Sequence, residues 1–174
     1  MENFELAIQG VRTASEILGI KMPKVRYFIN QEVHYEGINA VYIKEDNTIA
    51  FNQVWLVSVD ILEVLATCFL QARHAYQHEV INSKYKGHLK TNQETIDLWT
   101  KETNNFKSTI KYNNDDYLMQ DVVIDAVAFS HLMMVKHYDA KTIIPDEIKD
   151  QVNMKLAEFE QSNLKIYQIN DATQ

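Results

Sequence analysis

The sequence predicts an α+β domain, and three observations carry that reading. An amphipathic stripe opens the chain, three short segments rich in Val, Ile, Tyr and Phe follow it, and long helical patterns fill the remainder from about residue 58 onward. The expected architecture is therefore an N-terminal helix, a small three-stranded sheet, and a mostly helical body.

Phe4, Ile8, Val11, Ile17 and Leu18 recur at helical spacing over residues 2–18, and Gly19 followed by Pro23 ends the stripe. Strands are expected at 24–30, 39–44 and 48–52, with Glu45-Asp46-Asn47 as a hairpin turn between the last two. Ser58 is the expected N-cap of a long helix to about residue 83, its apolar side formed by Ile61, Leu62, Leu65, Phe69, Ala72, Tyr76 and Ile81. Asn92 caps a second helix over 93–106 that carries Trp99 and Glu102. Asp115 and Asp116 suit the positive end of a third over 115–137, apolar almost all round and so expected to be buried. Pro145 opens the last helix, through about residue 160. The reading is one domain over 1–160 and a polar tail over 161–174 that frays or docks.

Composition fits an ordinary globular domain with a sizeable core, at 46% hydrophobic and 24% charged residues. Charges interrupt the apolar runs well before a membrane-spanning length, and the first residues lack the positive region of a signal peptide, so a cytoplasmic location is expected. The lone cysteine, Cys68, reads as a buried thiol. Lys and Arg number 17 against 24 Asp and Glu, a balance of −7, which argues against direct nucleic-acid binding and is compatible with a basic protein partner. There is no G-x-G-x-x-G, Walker A or G-x-S-x-G pattern, so nucleotide binding and acyl-enzyme catalysis are set aside.

The run Thr67 to His78 almost spells an H-E-x-x-H zinc-peptidase helix, in which two imidazoles one turn apart bind zinc and the Glu between them serves as base. Ending the motif at His74 puts Leu70 at the first His and Gln71 at the Glu. Starting it at His74 pairs that residue with His78 at the right spacing but puts Ala75 at the base position. Neither register supplies a general base.

Phe69-Leu70-Gln71-Ala72-Arg73-His74-Ala75-Tyr76-Gln77 resembles the F-H-E-x-R-H-A-Y-Q segment of small zincin-type proteins of Gram-positive bacteria, phages and plasmids, similar to the ImmA/IrrE metallopeptidases. Residues 120–129 resemble that family's Q-E-I-E-I-D-A-I-A-F helix, and residues 47–52 its N-T-I-x-I-N strand, so the likeness covers roughly residues 38 to 136. The resemblance implies a minimal zincin-like domain. It also implies that Leu70 replaces a zinc ligand, Gln71 the base and Val123 the third ligand, with only His74 retained. Leu70 and Val123 are then expected to pack together, at about 1.5–3 kcal/mol for each buried side chain.

His74 reads either as a relict ligand or as a core histidine satisfied by neighbours. With His78 it could hold a zinc ion displaced by one turn, with Asp125 or Asp121 as third ligand. Asp125, if buried, needs a partner, and Arg73 and His74 are the candidates. His131 and His137, six apart, do not share a helix face. His34 and His88 fall in expected loops, and Tyr76, Trp99 and Tyr117 read as packing residues.

Two functions follow from the resemblance. One is a catalytically degenerate zincin-like protein of a phage or mobile element that acts by stoichiometric protein binding, for example as an anti-CRISPR-like inhibitor competing for the basic groove of a host-defence nuclease. The other is an active zinc-dependent metallopeptidase or hydrolase with a rearranged site on His74 and His78, taking its base from Glu79 or Asp121.

Overall fold

The computed structural model describes residues 3–29, 38–82, 91–108 and 114–161. Helix α1 (Asn3–Leu18) leads into strand β1 (Lys24–Phe28), then β2 (Ala40–Ile43) and β3 (Thr48–Asn52). Helices α2 (Gln53–Ser58), α3 (Ile61–Ile81), α4 (Gln93–Asn104), α5 (Asn114–Leu118), α6 (Asp121–Tyr138) and α7 (Lys149–Gln161) complete the described part. This is the expected α+β order.

The sheet runs β1-β3-β2, with β1 parallel and β2 antiparallel to β3. All five β3 residues are buried, as befits a central strand, and β2 lies at the edge. The β2–β3 hairpin turns where expected, and Asn47 takes the left-handed conformation (φ 51°) that Asn tolerates better than most residues. Alternation along an antiparallel pair then matters for the edge. Asn52 N–H donates to Asn39 O, so Asn39, Val41 and Ile43 are the residues bonded to β3, and the peptide groups of Ala40 and Tyr42 point outward.

Helix α3 is the spine. On one side it packs against α1 so closely that a Cβ on Gly10 would stand 2.8 Å from Cys68 Sγ, which explains a glycine inside a helix. Cys68 is buried there, as read from the sequence. On its other side α3 runs antiparallel to α6: Ser130 Oγ donates to Ala66 O (2.8 Å), Arg73 meets Asp125, and Gln77 reaches Val122 O (2.9 Å). A smaller core of Val11, Ile49, Phe51 and Leu56 fills the sheet side, and a larger one containing Phe69, Tyr76, Trp99, Phe129 and Met133 joins α3, α4, α6 and α7.

One expected long helix starts later than expected and another is interrupted. Ser58 is not the N-cap of α3. Asn52, the last residue of β3, accepts from Val54 and Trp55 N–H and starts the separate α2, and Asp60 caps α3 by accepting from Leu62 N–H at 2.8 Å. The 115–137 helix is broken after Leu118. Gln120 is extended (φ −75°, ψ 135°), and its side chain bridges the N–H and C=O of Lys107. The Glu102 carboxylate then accepts from Asp121 and Val122 N–H, both at 3.0 Å, and so caps α6 from another helix. Asn92 caps α4 as expected, accepting from Thr95 N–H. Pro145 precedes a short 3-10 turn over Asp146–Ile148 before α7. The ends of the first two strands fall a residue or two inside the expected bounds, and the 161–174 tail lies outside the described residues apart from Gln161, which closes α7. No described helix is long and apolar enough to cross a membrane.

Candidate functional site

A cleft of about 490 Å³ opens between the β2 edge and the C-terminal half of α3. Ala40, Val41 and Tyr42 form its strand wall, and Gln71, His74, Gln77 and His78 its helix wall. Thr103 of α4, Phe106 just beyond it, Tyr117 of α5 and Val122 of α6 close the far end, where Phe106 and Tyr117 meet edge to face at 6.1 Å. Lys44 and Glu45 stand at the exposed rim. The cleft thus lies against the stretch of α3 that carries the zincin-like pattern.

The polarity of the helix wall is set by the acceptors behind it, the carbonyls of Ala40 and Val122 and the Asp125 carboxylate. Gln71 Nε2 donates to Ala40 O (3.2 Å), which fixes the amide and leaves Oε1 as its other end. Gln77 Nε2 donates to Val122 O (2.9 Å) and to Asp125 Oδ2 (2.8 Å), so Gln77 Oε1 must be the atom facing His74 Nδ1 at 2.9 Å. His74 therefore carries its proton on Nδ1 and presents Nε2 as an acceptor. Burial pushes the His74 pKa down from its ordinary value; the Gln77 bond and the Asp125 charge oppose that shift, and the Arg73 charge adds to it. The ring is neutral near pH 7.

Behind this wall sits a buried ion pair. Arg73 Nε and Nη2 donate to the two oxygens of Asp125 at 2.7 and 3.1 Å, with side chains 3% and 2% exposed. Tyr76 and Phe129 flank the guanidinium at 4.4 and 5.1 Å, with Phe159 and Trp99 slightly farther out. Nη1 is buried with no hydrogen-bond partner among the described residues, so the aromatic faces are its main compensation. Of the two partners expected for Asp125, the structure supplies Arg73 directly and reaches His74 only through Gln77.

The metal set read from the sequence, His74, His78 and Asp125, is not brought together. Asp125 spends its oxygens on Arg73 and Gln77. His78 Nδ1 pairs with Tyr42 Oη at 3.2 Å, and because that phenol donates to Asn47 Oδ1, the imidazole is the donor. The alternative ligand or base, Asp121, accepts from Trp99 Nε1 at 2.8 Å and pairs with Lys155. No group of three or more His, Cys, Asp or Glu among the described residues is arranged to hold a metal ion. A zinc centre of the family type does not fit either, since Val123 is 2% exposed in the core. Leu70 is half-buried outside that core. Leu70 is not among the side chains packed against the core that holds Val123, so the expected Leu70–Val123 packing is not a core contact.

Tyr42 was missed by sequence reasoning and lines the cleft. Its pKa is pushed up to about 12, by burial first and by the charges of Glu79, Glu45 and Asp46 after it. Gln77 was quoted only as part of the motif, although its i,i+3 spacing from His74 could have marked it as that ring's partner. Ala75, the base position in the second register, is fully buried. His131 bonds Thr142 Oγ1 at 2.8 Å, away from this site, while His34 and His88 lie outside the described residues. Compared with protein-family models, curated proteins and solved structures, the chain finds no match.

Proposed function

We propose that the protein is a catalytically degenerate, zincin-like binding protein that acts stoichiometrically on a protein partner through this cleft. The observation that carries the reading is Gln71. At the position where the resemblance asks for a general base, the cleft wall has an amide tied to Ala40 O, and the buried carboxylate of α6 is neutralised by Arg73. A positioned base is typically worth about 10²–10⁴-fold in rate, so a cleft built this way keeps a shaped surface and loses turnover. Glu45, the one carboxylate on the cleft lining among the described residues, stands at the exposed rim beside Lys44.

The balance of −7 favours a basic partner, and a nuclease of a host defence system, met by a protein of phage or mobile-element origin, is the concrete form of the proposal. The test is a titration of a partner captured from host lysate and then purified. Binding that saturates at a fixed molar ratio, and associates faster at low salt than at high salt, is expected. A partner lost progressively with no fixed ratio refutes the reading.

A further inference from the structure

The cleft presents acceptors where a zinc site would present a cation. Gln71 Oε1 and His74 Nε2 sit three residues apart on α3, each polarity forced by the carbonyl or carboxylate behind it. Neither atom accepts from another described residue. A pair of acceptors on one wall calls for an occupant with at least two donors. Tyr42, Phe106 and Tyr117 also line the cleft, and aromatic rings attract cations.

We infer that the cleft takes the guanidinium of an arginine side chain from a basic protein partner, with His74 and Gln71 as its acceptors. The planar fork of donors suits two acceptors near one another on a helix better than the point charge of a lysine does, and arginine stacks on aromatic rings. The rim neither strongly favours nor opposes a cation, because Lys44 and Glu45 offset each other there, and the overall balance of −7 supplies the attraction at range. A carboxylate occupant would face the lone pairs of Gln71 Oε1 and His74 Nε2. The inference rests on the proposal that this cleft is the contact surface, and it adds which side chain enters.

The experiment is a titration of the protein with N-acetyl-arginine amide, N-acetyl-leucine amide and N-acetyl-glutamate amide, followed by the imidazole and side-chain amide NMR signals of His74 and Gln71. The arginine probe should shift both signals saturably, and the other two should not. His74→Phe should weaken arginine binding about tenfold, the scale of a hydrogen bond to a charged group. Glu45→Lys, an exposed rim change that leaves the fold intact, should weaken it severalfold. Equal binding of the leucine or glutamate probe overturns the inference, as does an arginine probe that moves neither signal or binds Glu45→Lys and wild type alike. A partner taken up at a fixed ratio while the arginine probe shifts nothing defeats this inference alone; saturable arginine binding without fixed-ratio uptake of the partner defeats only the proposed function.

Discussion

Replacing Asp125 by Ala removes the counter-ion of a guanidinium that is 3% exposed, along with the acceptor of three hydrogen bonds, two from Arg73 and one from Gln77. Arg73 cannot shed its proton and cannot reach water without unpacking Tyr76 and Phe129. Breaking such a buried pair from one side costs about 3–5 kcal/mol, a large share of the roughly 5–15 kcal/mol by which a domain is stable. With a urea m-value of about 2 kcal/mol/M, the unfolding midpoint should fall by about 2 M. The exposed pair Lys107–Asp116 is the control, because Asp116→Ala should cost no more than about 1 kcal/mol. The double variant Arg73→Met with Asp125→Leu, which removes both charges and keeps apolar volume, should be more stable than Asp125→Ala. An Asp125→Ala protein within about 1 kcal/mol of wild type, or a double variant less stable than the single, would refute the view that this pair is a buried, mutually dependent clamp between α3 and α6.

The same urea midpoints check three further expectations. Val123→Glu places a carboxylate in the core and should cost at least about 3 kcal/mol, whereas half-buried Leu70→His should cost under about 1; comparable losses would contradict the placement of the two residues. Gly10→Ala should cost about 1–3 kcal/mol by overpacking against Cys68, and adding Cys68→Ala should recover part of it; no loss in the single variant would contradict the close α1–α3 approach. Burial lowers the folded-state pKa of His74, and His131 and His137 shift the same way. The unfolded chain then binds protons first, so stability is full above about pH 6.5 and declines as pH falls from there through the lowered folded values. His74→Gln should flatten that decline, and an unchanged slope between pH 7.5 and 5.5 would place the coupling elsewhere.

Elements whose signals are local were legible in the chain. Helix α1 has its stripe and Gly19, the hairpin has Asn47, and α4 has Asn92. The breaks were not. Ser58 looks like an N-cap, yet Asn52 and Asp60 compete for the same role and win because β3 ends at Asn52. The start of α6 is fixed by Glu102 and by the Lys107 backbone that holds Gln120, contacts 13 to 20 residues away that no periodicity encodes. At the site, the motif lies on the α3 face that lines the cleft, and a buried Asp125 could be foreseen to need Arg73 or His74. The choice between them was not foreseeable, because it depends on Gln77 standing between His74 and Asp125, a geometry set by the crossing of α3 and α6.

The proposed function has the cleft bind a partner without turning it over. Intact-mass spectrometry of the captured partner, held in tenfold molar excess over the protein with zinc supplied, tests it most directly. About one equivalent of partner bound, and an unchanged mass for both the bound and the excess partner at all times, is the expected result. Cleaved partner accumulating beyond one equivalent would contradict it.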